Sequence, residues 1–231
     1  MGGQGMGDGE SERLPGDAPS ASRALTRSPS PLSLQPLEKP SSWRIFCAIA
    51  LPQQVCKQAS EHIRNLKGRF PQVAASWNRD GKFHLTLKFI GEIPPAKVER
   101  VSVAADRATQ DLGAVSLIVQ DAGAFPAKGT PKVLWLGISD VPGDPSGRLS
   151  RLQARLEDEC AQQGFAKEPR AFHPHLTLAR LRKPEGARAL ALAHKEMGFA
   201  AVEFDVSELL VLHSELSSER SRYSVISSHR L

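Results

Sequence analysis

The sequence of this chain has few cysteines, no long apolar run and no dense cluster of basic residues. Its three cysteines, Cys47, Cys56 and Cys160, show no C-x-x-C or similar spacing, so neither a disulfide framework nor a cysteine-based zinc site is expected. No segment approaches the roughly eighteen apolar residues that cross a bilayer, and the N-terminal residues lack the apolar core of a secretory signal. We therefore expect no membrane partner, and a reducing cytoplasm is the simplest setting.

The composition is that of a globular protein with a weak preference for polyanions. Hydrophobic residues make up 40% of the 231 residues, which is ample for a packed core. The net charge of +5 favours partners such as nucleic acid, but only modestly. Residues 1–41 are rich in Gly, Ser and Pro and have no apolar periodicity, so we predict a disordered tail there and one folded domain over residues 42–231.

Apolar periodicity from Trp43 onward predicts the element order β-α-β-α-β-β-α-β-α-β-β-β. The fifth and sixth elements are strands at Val115–Val119 and Val133–Ile138, joined by a predicted loop that contains Gly123 and Phe125. This order predicts an α+β fold of two lobes related by a pseudo-twofold repeat. Antiparallel-rich sheets would face each other across a central cleft, with the helices on the outside.

One four-residue phrase, His-Leu-Thr-Leu, occurs twice, at residues 84–87 and 91 residues later at 175–178. Alternation with period two predicts a strand in each copy, with the leucines in the core and the His and Thr on the opposite face. Imidazole exchanges protons near neutral pH, so His84 and His175 could supply a general acid and a general base to one reaction. Thr86 and Thr177 would stand beside them.

The repeated phrase is also compatible with two alternatives to acid-base catalysis. It could be the trace of an internal duplication without function. A histidine-only zinc site formed by His84, His173 and His175 is the second alternative, although the intervening Pro174 makes a metal pair awkward. We expect no metal and no cofactor.

Several segments, taken together in their order and spacing, resemble the two-histidine phosphoesterases. Within these, the chain looks like the RNA 2′,3′-cyclic phosphodiesterases, once called 2′-5′ RNA ligases. The similar segments are residues 44–52, 84–92, 123–126, 131–137, 172–180 and 212–216, with Tyr223. The chain departs from the family at Lys132, where an arginine is usual, near His213, where an aromatic is usual, and at residues 217–221, which replace a more Gly-rich turn.

The resemblance implies hydrolysis of a terminal 2′,3′-cyclic phosphate to a 2′-phosphate without a metal. The substrates would be RNA ends or nucleoside 2′,3′-cyclic phosphates, and the protein is expected to be a monomer. We predict His175 as the base toward water and His84 as the acid toward the leaving 3′-oxygen. Thr86 and Thr177 are predicted to donate hydrogen bonds to the phosphate oxygens.

Four further residues are candidate substrate contacts. The family match favours Arg180 near phosphate, but strict alternation from His175 turns it away, so this role needs a bulge or the strand end. Lys88 shares the face of His84 and could attract phosphate, or be a solvated charge. Phe89 could stack on a base, although alternation assigns it to the core. Phe125 could cap the cleft or anchor its loop.

Three functions compete on this sequence. The first is an RNA-end-processing enzyme. The second is a nucleotide- or RNA-binding module of the same fold without important turnover. The third is an interaction protein built around the tail. Two intact His-x-Thr motifs favour the enzyme, because binding alone does not require two proton carriers.

Overall fold

The structure, a computed structural model, describes only part of the chain. The described residues are 1–2, 42–79, 83–143, 147–216 and 221–231. The chain divides into two units, Met1–Lys39 and Pro40–Leu231, and the description below concerns the second. The predicted disordered tail, apart from Met1 and Gly2, lies outside the described residues.

The described residues form nine strands and four α-helices, with a short 3-10 turn at Pro95–Lys97. The elements are β1 (Trp43–Ala50), α1 (Gln53–Arg69), β2 (Ala75–Trp77), β3 (His84–Ile93), α2 (Val98–Thr109), β4 (Val115–Phe125), β5 (Val133–Asp140), α3 (Arg148–Gln162), β6 (His175–Leu181), α4 (Ala187–Met197), β7 (Val202–Val206), β8 (Glu208–Leu216) and β9 (Ser221–Arg230). Apart from the short strand β2, this is the predicted order.

Two antiparallel sheets contain these strands. One has four strands in the order β3-β1-β8-β9, and the other has five in the order β2-β6-β5-β4-β7. Of the two strands that carry the repeated phrase, β3 lies at the edge of its sheet beside β1, and β6 lies between β2 and β5. The predicted α+β class with two antiparallel lobes is therefore confirmed.

Helices bury the faces that their sequences predict. In α1, α2 and α3 the apolar residues that recur at helical spacing are buried, namely Val55, Ala59, Ile63, Leu66, Val98, Val101, Ala105, Ala108, Leu149, Leu152, Leu156 and Cys160. They join the leucines of β3 and β6 in one continuous core. Gly164 ends the helical conformation after α3, because it adopts a φ of +87°, which L-residues rarely occupy. None of the described helices is long and apolar enough to span a membrane.

The predicted loop at Gly123 and Phe125 is wrong, because both residues belong to β4. A bulge at Asp121, whose φ is +62°, interrupts the alternation that made β4 recognisable as far as Val119. Beyond it the strand continues along β5, where Trp135 lies over Gly123. A Cβ on that glycine would approach the indole to 2.1 Å, so the close packing of this pair requires glycine.

Candidate active site

Residues from both lobes line a cleft of about 300 Å³ where β3 and β6 face each other. Its lining comprises Ser76, Trp77, Asn78, His84, Thr86, His175, Thr177, Arg180, Arg182 and Tyr223. The structure thus brings together five sequence-predicted residues: both His-x-Thr pairs and Arg180. It does not bring Lys88, Phe89 or Phe125 to this lining.

A bulge in β3 decides where Lys88 and Phe89 point. Cys47 of β1 pairs with Lys88, whereas the next residue, Ala48, pairs with Thr86, so Leu87 is the extra residue of β3. An extra residue exchanges the two faces of a strand beyond it. Lys88 is therefore turned to the core side, and Phe89 to the side of His84.

The prediction that Lys88 contacts substrate is wrong. Lys88 is buried, with 3% of its surface exposed, and its ammonium donates to Glu157 Oε2 at 2.5 Å and to the Ala166 carbonyl at 2.9 Å. The same Glu157 oxygen accepts the backbone N–H of Glu168. Lys88 thus joins β3 to α3 and to the segment after it, and its charge is neutralised inside the protein.

Phe89 is not a core residue either, in contrast to what strict alternation predicts. Half of its surface is exposed. It pairs across the sheet with Phe46, and the guanidinium of Arg44 lies 4.6 Å from its ring centroid. Phe89 therefore forms part of the exposed cleft-side face of the first sheet, outside the cleft lining.

A bulge at the same place in β6 carries Arg180 into the cleft. Leu134 of β5 pairs with Ala179 and Trp135 pairs with Thr177, so Leu178 is the extra residue. Beyond it, Ala179 is buried and Arg180 shares the face of His175 and Thr177. This is the bulge that a site position for Arg180 requires.

The environment of His175 fixes its tautomer. Its Nδ1–H donates to the His173 carbonyl at 2.7 Å, since a carbonyl can only accept. In the neutral ring, Nε2 is therefore left with its lone pair. Burial lowers the pKa of His175 below 6.5, with the nearby charges of His173 and Arg180 acting in the same direction and the His173 carbonyl opposing them.

Aromatic rings support both histidines from the side. Phe125 makes an edge-to-face contact with His175, with centroids 5.2 Å apart, so it contacts the imidazole without lining the cleft. His84 contacts the rings of Phe46 and Tyr223, at 5.0 and 5.2 Å between centroids. Packing on these rings restricts the orientations of both imidazoles.

Five cleft residues were missed by the sequence-based prediction. Tyr223 stood among the segments that resemble the family, and this was the available signal for it. Ser76 and Trp77 belong to β2, which pairs with β6, and Asn78 comes directly after it. Arg182 donates to Ser76 Oγ at 2.8 Å. A three-residue edge strand has no periodicity of its own, so the sequence carries no signal for these positions.

A second histidine pair lies outside the cleft, where α1 meets α4. His62 Nε2 is 2.7 Å from His194 Nδ1, and His194 Nε2 is 3.0 Å from the Trp135 carbonyl. Because that carbonyl accepts from His194, His194 Nδ1 accepts from His62. Burial, and secondarily the neighbouring His194, lowers the pKa of His62 to about 4, and burial also lowers that of His194.

No group of three or more potential metal ligands occurs among the described residues. His173, which the zinc alternative requires, is turned toward Phe125 and Trp135, with ring centroids 5.0 and 5.1 Å away. It lines a separate depression that includes Trp135 and Phe172. The structure therefore gives the three-histidine site no geometric support.

Two antiparallel lobes that each present one His-x-Thr pair to a shared cleft define the class of the two-histidine phosphoesterases. The chain belongs to the 2′-5′ RNA ligase superfamily, whose family model matches residues 51–217.

Curated relatives and solved structures agree with this assignment. The RNA 2′,3′-cyclic phosphodiesterase of Thermotoga maritima is 30% identical over 184 residues, which are 79% of this chain and 92% of that protein. The Escherichia coli protein of the same name is 29% identical over 181 residues, or 78% of this chain and 92% of the relative. The crystal structure of E. coli LigT complexed with 3′-AMP matches with a TM-score of 0.62 and 27% identity, covering 83% of this chain and 99% of LigT.

Proposed function

We propose that this chain is an RNA 2′,3′-cyclic phosphodiesterase that hydrolyses terminal 2′,3′-cyclic phosphates to 2′-phosphates by acid-base catalysis with His84 and His175. The relatives that carry this activity in their names match most of the chain. The observation that carries the proposal is that two His-x-Thr pairs, one from each lobe, line one cleft.

His175 is the better general base of the pair. Its Nδ1–H is held by the His173 carbonyl, and its lowered pKa favours the neutral ring at neutral pH. Its Nε2 removes a proton from water while the water oxygen forms a bond to phosphorus.

His84 then serves as the general acid. The P–O3′ bond of the five-membered ring breaks, and His84 gives its proton to the leaving 3′-oxygen, which leaves a 2′-phosphate and a free 3′-hydroxyl. Proton exchange with solvent returns both imidazoles to their starting states. A positioned acid or base of this kind contributes on the order of 10²–10⁴ in rate.

The other predicted cleft residues complement the charge of the reacting phosphate. The hydroxyls of Thr86 and Thr177 donate to its non-bridging oxygens, where negative charge increases at the transition state. Arg180 supplies a guanidinium, which matches two phosphate oxygens at once.

The deciding experiment is incubation of purified protein with a nucleoside 2′,3′-cyclic phosphate, followed by separation of the 2′- and 3′-phosphate products. We expect the 2′-phosphate, in the presence and in the absence of EDTA. Formation of the 3′-phosphate would contradict the leaving-group assignment, and activity that EDTA abolishes and a divalent metal restores would contradict the metal-free mechanism. Binding without turnover would instead support the binding module.

We also infer a monomer that works in a reducing cytoplasm. Cys47 and Cys160 are buried free thiols. Burial raises the pKa of Cys160 to about 11 and that of Cys47 further, which keeps both protonated and unreactive. Light scattering at several protein concentrations measures the molar mass, which should stay that of one chain.

A further inference from the structure

A basic groove continues from the cleft along α1. This α1 groove, about 500 Å³ in volume, is formed by the side of α1 that carries Ser60, Arg64 and Lys67, together with Asn78 and Arg79. The proposed chemistry uses none of its charged residues.

Asn78 connects the groove to the cleft, because it lines both. Its backbone N–H donates to the Leu178 carbonyl at 2.7 Å, and its side-chain amide donates to the Thr177 carbonyl at 3.1 Å. These bonds fix Asn78 to the strand that carries His175. A chain that leaves the cleft over Asn78 therefore enters the groove directly.

The charge of the groove suits a polyanion. Arg64 and Lys67 are exposed and lie about one helical turn apart, and the exposed Arg79 lines the same groove. No carboxylate is among the described residues that line the groove. Across the described ranges, the three basic side chains form no ion pair with a carboxylate, so their charges stay available to a ligand.

The exposed face of the first sheet is less suitable for phosphates than the α1 groove. There the first sheet exposes Phe89 and Val225, and Arg44 is occupied by the ring of Phe89. A depression on this sheet, which Arg44 also lines, includes the carboxylates of Glu92 and Glu215. Electrostatic repulsion from these acids disfavours the phosphates of a nucleic acid on this side.

We propose that the α1 groove binds the backbone phosphates of the nucleotides that precede the cyclic phosphate in a single-stranded RNA. This inference rests on the proposed function and narrows its substrate class, because an oligoribonucleotide end becomes a better substrate than a free cyclic nucleotide. Basic grooves that follow the backbone are a general means of binding single strands.

The test compares two substrates with the same terminal nucleotide, a nucleoside 2′,3′-cyclic phosphate and a short oligoribonucleotide that ends in a 2′,3′-cyclic phosphate. The variant is Arg64→Ala/Lys67→Ala. The control is Arg100→Ala/Arg151→Ala, which removes the same charge from exposed positions on α2 and α3 that line neither the groove nor the cleft. Equal melting temperatures confirm that both variants fold.

We expect the groove variant to lose about 5- to 30-fold in kcat/KM on the oligoribonucleotide and to keep the parent value on the mononucleotide. The dependence of log(kcat/KM) on log[salt] should become less steep, by roughly 0.7 for each RNA phosphate that the variant no longer neutralises. An equal loss in the control variant, or no loss in the groove variant, would overturn the inference.

Binding of the same oligoribonucleotide, measured by fluorescence anisotropy, separates this inference from the proposed function. Weaker binding by the groove variant alone supports the groove even if the parent protein turns over neither substrate. Equal binding by parent and variant would contradict the proposed role of the α1 groove, whatever the activity.

Discussion

The strands β3 and β6 share a four-residue phrase and a bulge at the same point in it, yet they use the residues beyond the bulge differently. In β3 the fifth residue of the strand, Lys88, is a buried cation, and the sixth, Phe89, is an exposed ring under Arg44. In β6 the fifth residue is the buried Ala179, and the sixth is Arg180, which lines the cleft.

The bulge determines which way a side chain points, and the residue type then determines what it does there. Turning the fifth residue inward suits alanine, whereas a lysine at this place is stable only with a partner such as Glu157. Turning the sixth residue outward brings it to the cleft side of the sheet, where an arginine can reach an anion and a phenylalanine cannot. The equivalent positions thus make the two halves of the cleft electrostatically unequal.

The first prediction concerns the His-x-Thr pairs, which the two halves have in common. His84→Ala and His175→Ala should each lower kcat about 10²- to 10⁴-fold, because each removes a proton carrier. Thr86→Ala or Thr177→Ala should cost roughly 2–4 kcal/mol of transition-state stabilisation. Steady-state kinetics on a cyclic nucleotide measures all four.

The pH profile of the parent enzyme tests the assignment of His175 as the general base. Protonation of His175 removes the base, so kcat/KM should fall with decreasing pH through a pKa below 6.5. His173→Ala, which keeps the backbone carbonyl, is the matched control and should lose far less activity. A near-normal rate in either His84→Ala or His175→Ala contradicts the paired mechanism.

The second prediction concerns the fifth position. Lys88→Met should lower the free energy of unfolding by about 3–5 kcal/mol, because Glu157 then keeps a buried carboxylate without its cation. Replacing Glu157 with Leu in the same variant should recover much of the loss. Urea denaturation measures both, with Lys57→Met on the exposed side of α1 as the control.

A single Lys88→Met variant as stable as the parent would show that this pair does not hold β3 to α3. The double variant distinguishes a buried unpaired charge from simple loss of packing, because only the former is relieved by removing the second partner.

The third prediction tests the other histidine pair, which joins α1 to α4. The folded state lowers the pKa of His62 from 6.5 to about 4, so it favours the neutral ring. Stability from this group is complete above pH 6.5 and is lost as the pH falls toward 4, by up to about 3 kcal/mol.

His62→Gln tests this assignment, since the amide can still donate to His194 but does not titrate. We expect a shallower loss of unfolding free energy between pH 7 and 4 than in the parent. Parallel curves for parent and variant would exclude His62 as the titrating group.

The fourth prediction concerns the sixth position. Arg180→Ala should lower kcat/KM for a cyclic nucleotide about 10- to 100-fold, the effect of losing a hydrogen bond to a charged group. Arg180→Lys should recover part of it, because the charge stays and the two-pronged geometry is lost. Phe89→Ala should change the same constant less than about twofold. The reverse ranking would contradict the role of the β6 bulge.

The smallest effect on stability and turnover is expected from deletion of the N-terminal segment. We predict that deletion of residues 1–40 leaves melting temperature and turnover on a cyclic nucleotide nearly unchanged, because that segment has no apolar periodicity with which to bury surface. A clear fall in either quantity would show that the segment docks on the domain.

The sequence by itself determined the parts of this protein that depend on local periodicity. The buried faces of α1, α2 and α3, the two strands of the repeated phrase and the common orientation of each His and Thr follow from periods of 3.6 and 2. These signals are local, because the residues that share a face lie within a few positions of one another. The two lobes and the cleft followed from the order of the elements and the equivalent places of the two motifs.

Tertiary structure alone decided what lies beyond the first interruption of that periodicity. Whether Leu87 and Leu178 are extra residues depends on how β1 and β5 pair with them, and one unpaired residue reverses the direction of Lys88, Phe89 and Arg180. The same holds for the second half of β4 after Asp121. Asn78 reached the cleft through the pairing of β2 with the distant strand β6, and Tyr223 through the hairpin of β8 and β9, in which β8 pairs with the distant strand β1. The physical reason is that strand register and edge pairing minimise the free energy of the whole sheet, and no local pattern encodes them.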